Sequence, residues 1–157
     1  MERASASLPG TMKNDRPGTP DELRADLTVG VEWKGAWTFD AGKPGAPTIH
    51  IDGKSKEGPS SPEILLAALA TCTGVDVVEM LTKRKTPPAS IDISVTAERS
   101  GTTPRRLTKA HLAFRITGAG IDHTQTMRAI ELAVTRYCTV RDTMDPEMPV
   151  TWSLALG

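Results

Sequence analysis

With 157 residues, 38% of them hydrophobic and 24% charged, the chain has the balance of one globular domain with room for a sizeable core. Nineteen basic residues offset nineteen acidic ones, which argues against charge-driven binding to nucleic acid or to an anionic membrane. No unbroken apolar run approaches the ~18–20 residues of a bilayer span, and the first twenty residues hold no secretory-type apolar stretch. A soluble, cytoplasmic protein is the expectation.

Residues 1–25 are rich in Ser, Gly, Pro and charge, and read as a flexible arm, because so few apolar groups cannot offset the entropy of ordering it. Residues 26–157 read as the domain. Leu27, Val29, Val31 and Trp33 alternate with smaller or polar residues, the period of a half-buried strand. Ala36 to Phe39 is its expected hairpin partner across Lys34-Gly35, and Thr48 to Asp52 a third strand ending in Asp52-Gly53. A helix follows. Ser60 with Glu63 fits a capping box, Ser61 before Pro62 the alternative register, and the pattern runs to Lys83-Arg84-Lys85 before Pro87-Pro88 stops it. That basic triplet reads as a solvated helix end beside the negative pole of the dipole.

Ile91, Ile93, Val95 and Ala97, then Ala110, Leu112, Phe114 and Ile116, give a hairpin joined by a turn-rich "SGTTP". A second helix is expected from about Asp122 or Thr124 to Cys138, with Met127, Ile130, Val134, Tyr137 and Cys138 on its inner face. Val150, Trp152, Leu154 and Leu156 close the chain as a strand. The order predicts an α+β domain with mainly antiparallel sheets and two main helices. The first helix is apolar almost all round, from Ile64 to Leu81. One thin sheet cannot cover it, so burial alone predicts an obligate homodimer with these helices near its centre.

Chemistry centres on the two cysteines. A structural zinc site needs four Cys or His ligands in close pairs, and Cys72, Cys138, His50, His111 and His123 lack that spacing; no metal is expected. Cys–His hydrolysis needs a histidine at the thiol, whereas His50 and His111 fall in strands and His123 at a helix start. Two readings remain: Cys72 as a small buried packing group, or thiol redox chemistry. Each cysteine lies on the apolar side of a different predicted helix, so the two could meet in one core.

"GPSSPEILLAALATCTGVDVVEML" followed by "AIELAVTRYCTV" resembles the OsmC/Ohr family, the osmotically inducible and organic hydroperoxide resistance proteins, over roughly residues 26 to 156. The resemblance implies an intertwined α+β homodimer with sites at the subunit interface and no cofactor. It implies thiol-dependent reduction of organic hydroperoxides, with Cys72 as the peroxidatic cysteine and Cys138 as the resolving one. An external thiol, such as the dithiol of a lipoyl protein, would restore them. Glu63 matches the glutamate that steadies the family's thiolate through an arginine. That arginine has no counterpart here, since none lies between Arg24 and Arg84; Lys34 or Lys43 could supply positive charge in its place. Asp76, one turn after Cys72, would oppose thiolate formation if ionised. On a straight helix Glu63 and Cys72 point about 180° apart, so Glu63 is expected to act across the dimer. The alternative function is a catalytically silent dimer that binds a small apolar ligand at its interface.

Overall fold

Residues 27–157 are described by the structure, a computed structural model; the expected N-terminal arm lies outside them. Two three-stranded sheets and one long helix carry the α+β fold. The first sheet is antiparallel and ordered β1 (Gly30–Gly35), β2 (Thr38–Gly42), β3 (Ile49–Asp52). Lys34-Gly35 stays within β1, and the hairpin turns at Ala36-Trp37 instead. The backbone fits the shift: Ala36, the first turn residue, takes a positive φ of 43°, as the first central residue of a two-residue hairpin does, and Gly35 at 112° sits at the irregularity that ends β1. Asp52 ends β3, and its buried carboxylate accepts the backbone N–H groups of Lys54, Lys56 and Glu57. These bonds hold its pKa below the usual range and fix the loop that leads into the long helix.

That helix, α1, runs unbroken from Ser61 to Lys83. Ser60 is its N-cap, and the Glu63 carboxylate reaches back to accept the Ser60 backbone N–H at 2.7 Å. Its length and mean hydropathy of 1.8 would suffice to cross a bilayer. Leu69, Val77 and Leu81 are nevertheless fully buried within the protein, so α1 is the central helix of the domain. They pack over Ala110, Leu112, Phe114 and Ile116 of β5 (Leu107–Thr117). Burying a large aliphatic side chain in this way contributes about 1.5–3 kcal/mol. Gly74 allows the close approach to β4 (Ser90–Arg99): a Cβ there would lie 3.0 Å from Ile93 Cδ1.

β4 and β5 pair antiparallel, as expected, but β6 (Val150–Leu156) pairs parallel to β5. The intervening helices carry the chain back across the sheet, which is how parallel neighbours are joined. α2 spans His123–Leu132 with Asp122 as N-cap, accepting the Gln125 N–H at 2.9 Å. It does not continue as an α-helix to Cys138. Residues Ala133–Tyr137 form a π-helical turn closed by Cys138 N–H donating to Ala133 O at 2.9 Å. The extra residue rotates the succeeding side chains by about 100° around the axis. Tyr137, expected inside, is therefore 55% exposed, while Cys138 stays buried. A short helix, α3, then spans Thr139–Thr143.

The covering of α1 is one-sided. Leu65, Val75 and Val78 are exposed, as are Val31, Trp33 and Ile49 of the first sheet.

Candidate functional site

Cys72 sits in the middle of α1, half-buried, and Cys138 lies between the π-helical turn and α3, buried. Both pack on the same core cluster, and Cys72 acts on the ionisation of Cys138. Cys138 Sγ also accepts the Arg141 backbone N–H at 3.3 Å. Burial first, then the Cys72 contact, push the Cys138 thiol up to about 11 against the weaker opposing pull of backbone N–H groups. Cys138 is therefore a thiol, not a thiolate, at neutral pH. The Arg141 guanidinium is spent elsewhere, donating to the carbonyls of Asp145, Pro146 and Met148. It ties down the loop before β6 and leaves the Cys138 sulfur to its backbone N–H. A cleft of about 310 Å³ opens beside Cys138, walled by Arg136, Met144 and Trp152 among others.

Glu63 is not part of this pair. It stands at the start of α1, nine positions before Cys72 on an unbroken helix, so the two side chains point away from each other. Its carboxylate accepts Ser60 Oγ–H at 2.6 Å, Ser55 Oγ–H at 2.7 Å and the Ser60 backbone N–H. Those bonds, the Ser60 and Ser55 hydroxyls foremost, lower its pKa from 4.5 to about 2. The folded state thus prefers the ionised form. The resulting stabilisation is complete above about pH 4.5 and disappears as pH falls towards 2. Urea midpoints of the wild type and Glu63→Gln are accordingly expected to differ at pH 6 and to converge between pH 4.5 and 2. A difference that is constant with pH would refute the assignment.

From Glu63 two adjoining hollows of about 450 and 790 Å³ run along α1 and β4. Leu66, Val75, Val78, Ile91, Ile93 and Val95 line them, giving a mainly apolar groove edged by Glu63, Glu79 and Lys83. Lys34 pairs with Glu32 at 3.2 Å and Lys43 stands exposed between β2 and β3, so neither supplies charge to Cys72 within the chain. The histidines lie apart from the thiols. His50 faces Asp40 across β2–β3, His111 bonds Thr151 and Ser153 on β6, and His123 opens α2 exposed. Among the described residues no three His, Cys, Asp or Glu side chains converge to hold a metal.

Asp76 was legible as a neighbour of Cys72, but its state was not. Its Oδ2 is buried without a hydrogen-bond partner, and burial, then the Glu79 carboxylate, raise its pKa.

The family model described as OsmC-like protein matches residues 51–153, which include α1, Cys72 and Cys138. The chain belongs to the OsmC family. YhfA of Escherichia coli is 30% identical over 124 residues, covering 78% of this chain and 92% of YhfA. Among solved structures, an OsmC-like protein from Mycoplasma pneumoniae superposes with a TM-score of 0.69 at 18% identity, over 82% of this chain and 95% of that one. The organic hydroperoxide resistance protein OhrB of Bacillus subtilis superposes at 0.54 with 14% identity, over 83% and 98%. At such identities the likeness is one of OsmC fold.

Proposed function

We propose that this OsmC-family protein reduces organic hydroperoxides, with Cys72 attacking the peroxide and Cys138 resolving the product. The observation that carries the reading is the convergence of two free cysteines from different helical segments on one core cluster, where Cys72 acts on the ionisation of Cys138. Their unequal environments support the division of labour. Cys138 is buried and kept protonated, while Cys72 is the more accessible sulfur. The Cys72 thiolate attacks the outer peroxide oxygen, the O–O bond breaks, and an alcohol leaves after taking up a proton. Cys138 sulfur then displaces hydroxide from the Cys72 sulfenic acid; water departs and a disulfide remains. An external dithiol, of the kind a lipoyl protein carries, returns both thiols. The groove, lined by Thr71 next to Cys72 in the chain, suits an alkyl or lipid group better than hydrogen peroxide.

The same reading includes a cytoplasmic homodimer. Its support is the exposed apolar surface on α1 and the first sheet, more than an isolated subunit ordinarily leaves to water. Because α1 is unbroken, Glu63 would serve the Cys72 of a second copy and not its own. A second reading rests on the groove together with the missing arginine: the dimer binds an apolar molecule there and performs no chemistry. Turnover separates the two. Cumene hydroperoxide should be consumed catalytically with dihydrolipoamide as reductant, and the binder would leave consumption at the protein-free rate.

A further inference from the structure

Asp76 Oδ2 is, among the described residues, the buried side-chain oxygen or nitrogen that has no hydrogen-bond partner. A polar atom left so costs free energy, and costs more when it carries charge. Asp76 lies four residues after Cys72 on α1, so the two side chains share a face one turn apart, with Cβ atoms about 5–6 Å from each other. The neighbouring charge that acts on Asp76 is that of Glu79, and it has the same sign. No ion pair among the described residues includes Asp76: Arg128 of α2 pairs with Glu131, and His50 of β3 with Asp40. The inner face of β4 presents Ile91, Ile93 and Val95. The turn after α2 brings the Cys138 thiol, with Tyr137 exposed beside Lys83. Arg136 is exposed, and Arg141 of α3 is committed to carbonyls. Burial and Glu79 both favour the protonated form.

We propose that Asp76 is held as a neutral carboxylic acid and is the proton-transfer group of the Cys72–Cys138 pair. This rests on the peroxidase reading above. When the Cys72 thiolate takes the outer oxygen of ROOH, the departing alkoxide receives the Asp76 proton and leaves as ROH. Asp76 is then a carboxylate beside the Cys72 sulfenic acid. It accepts the Cys138 proton, so that a sulfur otherwise too basic to ionise attacks Cys72. The hydroxide displaced takes that proton back and leaves as water. When the dithiol reduces the disulfide, one of its two protons goes to Cys138 and the other to Asp76, which restores Cys138–SH, Asp76–COOH and the Cys72 thiolate. The neutral acid also removes the conflict in the sequence, where a carboxylate one turn from Cys72 would oppose thiolate formation.

The test compares wild type with Asp76→Asn, which keeps the shape and removes the proton. Under the proposal, alkylation of Cys72 by iodoacetamide in a Cys138→Ser background has the same rate at pH 7 in both, within about twofold. Disulfide formation after one equivalent of cumene hydroperoxide slows at least tenfold in Asp76→Asn at pH 7, and the gap narrows as pH rises towards the Cys138 thiol's about 11. Faster alkylation in Asp76→Asn would reveal an ionised Asp76, and an unchanged disulfide rate would remove its transfer role; either overturns the proposal. Wild-type protein that keeps its thiols under peroxide would instead sink the peroxidase reading, while the alkylation rates still report the charge on Asp76. Should the asparagine variant not fold, the infrared band of a protonated carboxyl in the reduced wild type decides the point: present at pH 7 it supports the proposal, absent it refutes it.

Discussion

Replacing Cys72 with serine is expected to lower hydroperoxide turnover at least 100-fold, because a hydroxyl is not ionised near neutral pH and is a poor nucleophile towards the O–O bond. Cys138→Ser should behave differently. Its Cys72 still consumes one equivalent of peroxide per chain, and then stops as a sulfenic acid that dimedone traps. A dithiol reductant restores only slow turnover, and excess peroxide drives the unprotected sulfur to irreversible acids. The asymmetry arises from position: Cys72 is half-exposed on α1, whereas Cys138 is buried with its thiol held protonated. Equal loss of the first oxidation step in both variants would contradict the assignment of roles. Measuring alcohol released in a single turnover distinguishes these outcomes.

The second large effect concerns assembly. Val75 is 66% exposed and Val78 is 41% exposed on α1. In a monomer, substitution at such sites changes stability by about 0.5 kcal/mol or less. In a dimer built on this face, an aspartate at either place would be an unpaired charge buried against apolar neighbours. Val75→Asp and Val78→Asp are therefore expected to abolish a particle of twice the 16.8 kDa chain mass, and to leave protein that unfolds on dilution or aggregates. Light scattering and a concentration series of thermal melts check this. A wild type that is folded at 16.8 kDa, with both variants unaltered, would refute the homodimer.

Much of the fold was legible because its signals are local. The alternation at Ile91 to Ala97 and Ala110 to Ile116 gave both strands of the central hairpin, and Ser60, Glu63 and the prolines marked the ends of α1. What escaped the sequence depends on longer-range geometry. The direction of β6 is set by how the chain crosses back over β5, which periodicity does not record. The π-helical turn at Ala133–Tyr137 inserts one residue into a 3.6-residue pattern; hence Tyr137 was expected inward and emerges outward. Positive φ at Ala36, a residue with no special liking for it, moved the first hairpin's turn past Lys34-Gly35.

The site shows the same division. Placing each cysteine on an apolar helix face was enough to anticipate that both join one core, although Cys138 does so beyond the end of its helix. The separation of Glu63 from Cys72 came from helix geometry alone and holds in the unbroken α1. The serine pair that anchors Glu63 was only half visible, because Ser55 reaches it from the loop shaped by Asp52. The unpartnered oxygen of Asp76 could not be read from residue types, since it depends on which neighbours fail to arrive.

Counting free thiols tests the central claim most directly. Anaerobically reduced protein is mixed with one equivalent of cumene hydroperoxide and quenched under denaturing conditions. Thiols are then titrated and the peptides mapped by mass spectrometry. Cysteine-based peroxide reduction predicts the loss of both free thiols of each chain, Cys72 and Cys138, in a single disulfide, with one alcohol formed. Both thiols intact after a time in which free cysteine would react would contradict it.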